Sequence, residues 1–264
     1  MHLVVCMKPV PDPKEWGRLR MDPDTKTLIR EGIPTVMNPL DRHALEAALT
    51  IREQVGGDVR VVSMAPPTGK TVLKEALAMG ADSALLVSDR VYAGSDTLAT
   101  SRILSAAIRK MGALDLVLCG NSSLDGSTAQ VPSQLAEMLG IPSVMHVRRL
   151  ILDDPRHLRI FQRVEMGMVE MEAEPPLLLS FTKDVNRPRY TTFLGILEAE
   201  AKDMTVWGNQ ELQLAPASVG LEGSPTKMAD LLLRKKARQA ERLEGDPEEA
   251  ARRVSDRIYQ LGII

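Results

Sequence analysis

The residues best suited to chemistry lie together between Leu116 and Leu139, in the stretch LVLCGNSSLDGSTAQVPSQLAEML. A short apolar run ends at Cys119 and breaks at Gly120. Asn121, Ser122, Ser123, Asp125, Gly126, Ser127, Thr128, Ala129, Gln130 and Val131 follow, before an amphipathic pattern that stops at Gly140. This order predicts strand, loop, helix. Hydroxyl, amide and carboxylate groups with a flexible glycine, placed where a parallel strand delivers its chain to a helix N-terminus, suit a nucleotide phosphate, because backbone N–H groups there carry partial positive charge. The same residue types also make a solvated connection, since loops are polar whatever they do.

Other chemistry is thinly represented. Thr68-Gly69-Lys70-Thr71 imitates the end of a Walker-type phosphate loop, but Met64 stands where that motif requires glycine, and Lys70 is expected to face solvent. No glycines fall in GxGxxG spacing, no HExxH is present, and nothing links the 4 histidines to a nucleophile. Cys6 and Cys119 each end an apolar run outside any CxxC, which argues against a disulfide framework and a dithiol centre. Redox chemistry would have to come from a bound cofactor.

The elements that position this loop follow from periodicity. His2 to Lys8 is a β-branched run stopped by Pro9, Pro11 and Pro13. Past the turn-rich stretch through Asp22, Pro23, Asp24 and Gly32, Asn38 as N-cap and Pro39 at the first helical position open a helix that lasts to Gly56-Gly57. Strands are expected over Val59–Met64 and Ala84–Val87, and helices over Thr71–Met79 and Thr97–Met111. A fifth strand is expected over Ser143–Val147. Alternation of this kind predicts a parallel sheet covered on both faces, with ligands at the carboxyl ends of its strands. Cys6–Pro9, Met64–Thr68 and Cys119–Thr128 should converge on that edge.

After Leu150 the pattern changes. Leu158–Val164 and Val169–Glu172 read as an antiparallel pair, and Pro176–Thr182 as a buried strand rejoining the sheet. Asn186–Leu197 reads as a loop carrying Tyr190, Phe193, Leu194, Ile196 and Leu197. Beyond Trp207 an arm of low regularity leads to helices around Met228–Leu243 and Pro247–Leu261. The expected division is an α/β domain over residues 1–206 and an arm with helices over 207–264.

The chain has 264 residues and a net charge of −2, which gives no reason to expect nucleic-acid or anionic-membrane binding. No run approaches the roughly 18 apolar residues of a membrane span. Met1–Pro9 lacks the features of a signal peptide, so a cytoplasmic address is expected.

The motifs VVCMKPVPD, VMNPLDRHALEAAL, VVSMAPP, ALAMGAD, LVSDR with GSDTLATS, LDGSTAQV and NRPRYTTFLGIL, in that order along nearly the whole chain, resemble the beta subunit of electron transfer flavoprotein. The resemblance implies a flavodoxin-like or adenine nucleotide alpha hydrolase-like (Rossmann-like) domain with a C-terminal arm on an alpha subunit that holds a redox FAD. Family members divide between a structural AMP and a second, NADH-reactive FAD in the beta subunit. The compact Asp125–Val131 turn, with Ser88-Asp89-Arg90 and Gly94–Thr100, is similar to the electron-bifurcating, FAD-binding members. Electrons would pass between NADH or acyl-CoA dehydrogenases and ferredoxin, flavodoxin or quinone acceptors.

Carried over by position, Cys6, Asn38, Met64 and Ala65 would line the adenosine, although Cys6 also suits a core and Asn38 is explained as an N-cap. Asp125, Gly126, Ser127, Thr128, Ala129, Gln130 and Val131 would wrap the phosphates, with Asp96, Thr97 and Thr100 at a second helix start. Arg189, Tyr190, Phe193, Leu194, Gly195, Ile196 and Leu197 match the loop by which the family docks on acyl-CoA dehydrogenases, Phe193 as anchor. The sequence departs from the family pattern in reading DGS for DGD, in Ser122-Ser123, in Pro132, and in Glu198–Lys202 where a lysine-rich run is usual. A carrier with structural AMP and a non-redox nucleotide-binding scaffold are the alternatives.

Overall fold

A computed structural model describes residues 1–18, 20, 21, 28, 29, 32–227 and 242–262. The first half alternates as its periodicity requires. β1 (His2–Cys6) is followed by short strands β2 (Pro9–Pro11), β3 (Arg20–Met21), β4 (Leu28–Ile29) and β5 (Thr35–Met37). Then come α1 (Pro39–Val55), β6 (Asp58–Met64), α2 (Lys70–Met79), β7 (Ser83–Val87), α3 (Thr97–Met111), β8 (Leu116–Gly120) and α4 (Val131–Leu139). β9 (Ser143–Asp154), β10 (His157–Val164) and β11 (Gly167–Ala173) form an antiparallel run before β12 (Leu177–Phe181). The chain continues through α5 (Phe193–Ala199), β13 (Asp203–Trp207), α6 (Asn209–Leu212) and α7 (Pro247–Gln260).

A nine-stranded sheet in the order β11-β10-β9-β12-β8-β1-β6-β7-β13 organises the domain. Pairing is parallel from β9 through β13 and antiparallel at the β10 and β11 end. Strand order reverses beside β1, since β6 and β7 follow on one side and β8, β12 and β9 lie on the other. Helices cover both faces for a simple reason: consecutive side chains of each buried strand point opposite ways. Leu3, Val5, Leu116 and Leu118 join one core with α1 and α2 residues such as Leu45 and Leu73. Val4, Cys6, Val117 and Cys119 join the other with Ile103 of α3 and Leu135 of α4. Fully burying a side chain such as Leu3 or Leu118 is worth about 1.5–3 kcal/mol, so both faces are held independently.

Three features differ from the sequence reading. The strand expected over Ser143–Val147 runs to Asp154, because it leaves the core and pairs with β10 at its polar end. Residues 193–197 are not loop but the start of α5, capped by the Thr192 hydroxyl, which accepts from Gly195 N. Asp203–Trp207, unrecognised in the sequence, closes the sheet as an edge strand beside β7. Chain compactness divides the molecule into Met1–Ala229 and Asp230–Ile264, so the first unit extends beyond Trp207. Val219 and Ser224, 1 % and 3 % exposed, fasten that extension.

Part of the helix expected over 228–243, residues 228–241, lies outside the described residues, as do Asp22, Pro23 and Asp24. Within the second unit, α7 is capped by Asp246 and has no buried residue. Among the described residues no helix is long and apolar enough to cross a membrane.

Candidate functional site

Parallel strands that diverge to opposite sides leave a crevice at their carboxyl ends, because the chain leaving one turns away from the chain leaving the other. Here the crevice lies between β1 and β8, where Cys6 and Cys119 are register partners. Both cysteines are buried and point to the α3 and α4 face. The neighbouring Cys6 thiol, with burial, pushes the Cys119 thiol well up, so it stays protonated and inert. Met64 ends the adjacent β6, and Ala65 follows it, its N donating to Val87 O at 3.1 Å.

Asn38 precedes α1, yet its side chain makes no helix-cap bond. The cap explanation is therefore replaced. Its Nδ2 donates to Ser122 O at 2.9 Å and to Asp41 Oδ1 at 2.9 Å, while its Oδ1 accepts from Leu124 N at 3.1 Å. Asn38 thus stitches the start of α1 to the loop after β8. Lys8 adds a second stitch: its Nζ donates to Asp125 Oδ1 at 2.7 Å and to Ser123 Oγ at 3.2 Å.

Asp41 and Lys8 did not stand out in the sequence. An acid in a helix's first turn ordinarily serves the helix dipole, and a lysine at a strand end ordinarily meets water. Asp41 instead turns inward, accepting from Lys8 N at 2.7 Å and Gly120 N at 3.1 Å. Burial pushes its carboxyl up to about 7, against the hydrogen bonds from Asn38, Lys8 and Gly120 that hold it down. Gly120 is required beneath it, since a Cβ there would overlap Asp41 Oδ1 and the α1 backbone. The signal that could have found the pair is the coincidence of an acid in the NPLD turn with a glycine ending β8.

The loop itself is held in a strained form. Ser127 and Ala129 have φ of 50° and 54°, a region costly for residues with a Cβ. Ser127 N donates to Ser123 O at 2.8 Å. Gly126 and Thr128 are exposed. Val131 begins α4, and Gln130 at its cap position makes no side-chain cap bond. Its Oε1 accepts instead from the Thr97 hydroxyl at 2.9 Å, which brings the start of α3 against the loop. Loop and α4 start together present backbone N–H groups of the kind that suits an anion such as a phosphate, with the Thr97 hydroxyl holding Gln130 beside them.

Asp96 has another task. Its carboxylate caps α3 through Ala99 N at 3.0 Å and accepts from Thr226 N at 3.0 Å, while Asp96 N donates to Ser224 Oγ at 2.8 Å. Thr100, half-buried one turn into α3, donates its backbone N–H to Asp96 O.

Residues 186–197 lie elsewhere, along α1 and α2. Arg189 is not on the exposed face: it forks onto Glu46 at 2.9 and 3.0 Å and Glu53 at 2.6 and 3.2 Å, both on α1. Gly195 lets α5 pack on α2, since a Cβ there would overlap Ala78 O. Tyr190, Phe193, Leu194, Ile196 and Leu197 are exposed, Tyr190 at 90 % and Phe193 at 79 %.

Residues 25–212 match the family described as Electron transfer flavoprotein domain. The chain is 42% identical, over the full length of both, to the electron transfer flavoprotein subunit beta of Thermoanaerobacterium thermosaccharolyticum. It is 43% identical over 229 residues, 86% of each chain, to the caffeyl-CoA reductase-Etf complex subunit CarD of Acetobacterium woodii. A third relative, the electron transfer flavoprotein subunit beta of Clostridium acetobutylicum, is 42% identical and covers 98% of each chain.

Proposed function

The chain belongs to the electron transfer flavoprotein family, on its beta-subunit side, and we propose that it binds FAD at the crevice between β1 and β8 and works as one half of a heterodimer with an alpha subunit. The observation that carries this reading is the Thr97–Gln130 bond, which sets a second helix start beside the 121–131 loop. A mononucleotide needs the donors of one loop; a dinucleotide-sized ligand uses both.

In this reading Cys6, Asn38, Met64 and Ala65 flank the adenosine by position, and residues 125–131 with the α4 start take the diphosphate. Thr97 and Thr100 serve the remainder. A flavin so held supplies hydride acceptance from NADH and electron transfer onward, and the chain supplies binding, orientation and exclusion of water. No side chain is assigned as acid or base. The exposed face of Tyr190, Phe193, Leu194, Ile196 and Leu197 is the docking face for an acyl-CoA dehydrogenase or similar partner, with ferredoxin or flavodoxin as a further acceptor. The name of CarD places that relative in a complex with a CoA-linked reductase, which fits a partner of this kind. Residues beyond 207, including the separate unit from Asp230, are the arm to the alpha subunit. The site of action is the cytoplasm.

A second reading has its own support. The Asp96 carboxylate is already engaged by Ala99 and Thr226, which favours a smaller ligand, AMP, and a carrier with one flavin. Anaerobic titration of the purified heterodimer with NADH separates the two. The FAD reading expects flavin absorbance to bleach; an unreactive complex would contradict it.

A further inference from the structure

The element of the site least like an ordinary helix start is Asp41. It is 6 % exposed, and none of the bonds it accepts comes from the N–H groups of its own helix. Its Oδ2 fixes the backbone at the end of β1 through Lys8 N, and its Oδ1 fixes the end of β8 through Gly120 N. The same Oδ1 orients Asn38, whose remaining groups hold Ser122 O and Leu124 N. Lys8, placed by its own backbone bond to Asp41, reaches Asp125 and Ser123. The bonds that tie residues 122–125 to the start of α1 and to Lys8 all pass through a residue bonded to Asp41, while Ser127 holds Ser123 O from within the loop.

We propose that Asp41 is the positioning residue of the nucleotide loop, acting through Asn38 on residues 122–124 and through Lys8 on Asp125, so that its ionised form keeps the loop in its binding arrangement. This rests on the reading of residues 121–131 as the nucleotide loop. Three N–H donors converge on the carboxylate. Protonation removes the charge that strengthens all three bonds and turns one oxygen into a hydroxyl donor with a single lone pair left, so the bonds that hold Asn38, Lys8 and Gly120 weaken together. The ionisable groups that act on Asp41 or feel its charge are Lys8, just past β1, and Cys119 from β8, with Asp125 reached through Lys8. Cys119 stays neutral through the range concerned. Burial brings protonation of Asp41 close to neutrality, to about 7.

The test uses the complete complex with its alpha subunit, loaded with its own nucleotide. Retention of that nucleotide on gel filtration is followed from about pH 5.5 to about pH 8.5 in the wild type, Asp41→Asn, Asn38→Ala and the double variant. The inference expects release from the wild type to rise as the pH falls through about 7. In Asp41→Asn release should be about tenfold faster at high pH, with the pH step gone. The double variant should be no worse than the stronger single, because the two residues act in series. A pH-independent release from the loaded wild type would overturn the inference, whatever the folding of Asp41→Asn. So would a step that survives in Asp41→Asn, or effects of the two substitutions that multiply. A wild-type complex holding no nucleotide at any pH would instead overturn the nucleotide reading, and this inference with it.

Discussion

Lys8 Nζ stands 2.7 Å from Asp125 Oδ1, joining residues 117 positions apart across the mouth of the crevice. The carboxylate side chain is 8 % exposed and the lysine 41 % exposed, so the pair is sheltered on the loop side and wet on the other. An acid in a loop meant for phosphate would repel its ligand. Lys8 neutralises Asp125 and turns it into a structural fastening.

Lys8→Met should therefore loosen the loop without disturbing the sheet. We expect about 1 kcal/mol lower stability and weaker retention of nucleotide, measured by chemical denaturation and by nucleotide content after gel filtration. Unchanged retention would detach the pair from binding.

Gly120→Ala should act through the same corner. The added Cβ meets Asp41 Oδ1 and the backbone of Leu40 and Asp41, all of them fixed. Overpacking of this kind costs about 1–3 kcal/mol, read as a lower denaturation midpoint with an unchanged slope.

Arg189 gives a pH signature. It holds the Glu53 carboxyl below its usual range, so the folded value lies below the unfolded one of 4.5. The stabilisation is then present above the unfolded value and lost as pH falls through the folded one. Arg189→Gln should melt at lower temperature near neutrality, and the gap to the wild type should narrow on acidification below about pH 4.5. A gap that persists in acid would contradict the assignment.

Phe193→Ser should leave folding within about 0.5 kcal/mol, because the ring is 79 % exposed. Binding to a partner dehydrogenase should weaken by tenfold or more if Phe193 is an anchor, about 1.4 kcal/mol. Surface plasmon resonance on the two complexes would read both outcomes.

Much of the fold was legible because it rests on period and punctuation. Thr97 to Gly112 begins at Asp96, whose carboxylate caps the helix, and ends at a glycine with φ of 89°, which few other residues adopt. β13 was not legible: Asp203-Met204-Thr205-Val206-Trp207 is half exposed at a sheet edge and carries no strong alternation. α5 was hidden by Gly195, whose value lies in contact with Ala78 rather than in helix propensity. The 121–131 loop was singled out by its composition as the candidate site. Its fastening was not, because Asn38 and Asp41 look like ordinary residues of a helix start, and only the approach of β8 shows what their side chains reach for.

The central claim is that this subunit holds FAD. Denaturing the purified heterodimer and quantifying released nucleotides by absorbance and chromatography tests it most directly. Two FAD per heterodimer and no AMP is the predicted result; one FAD and one AMP would contradict it.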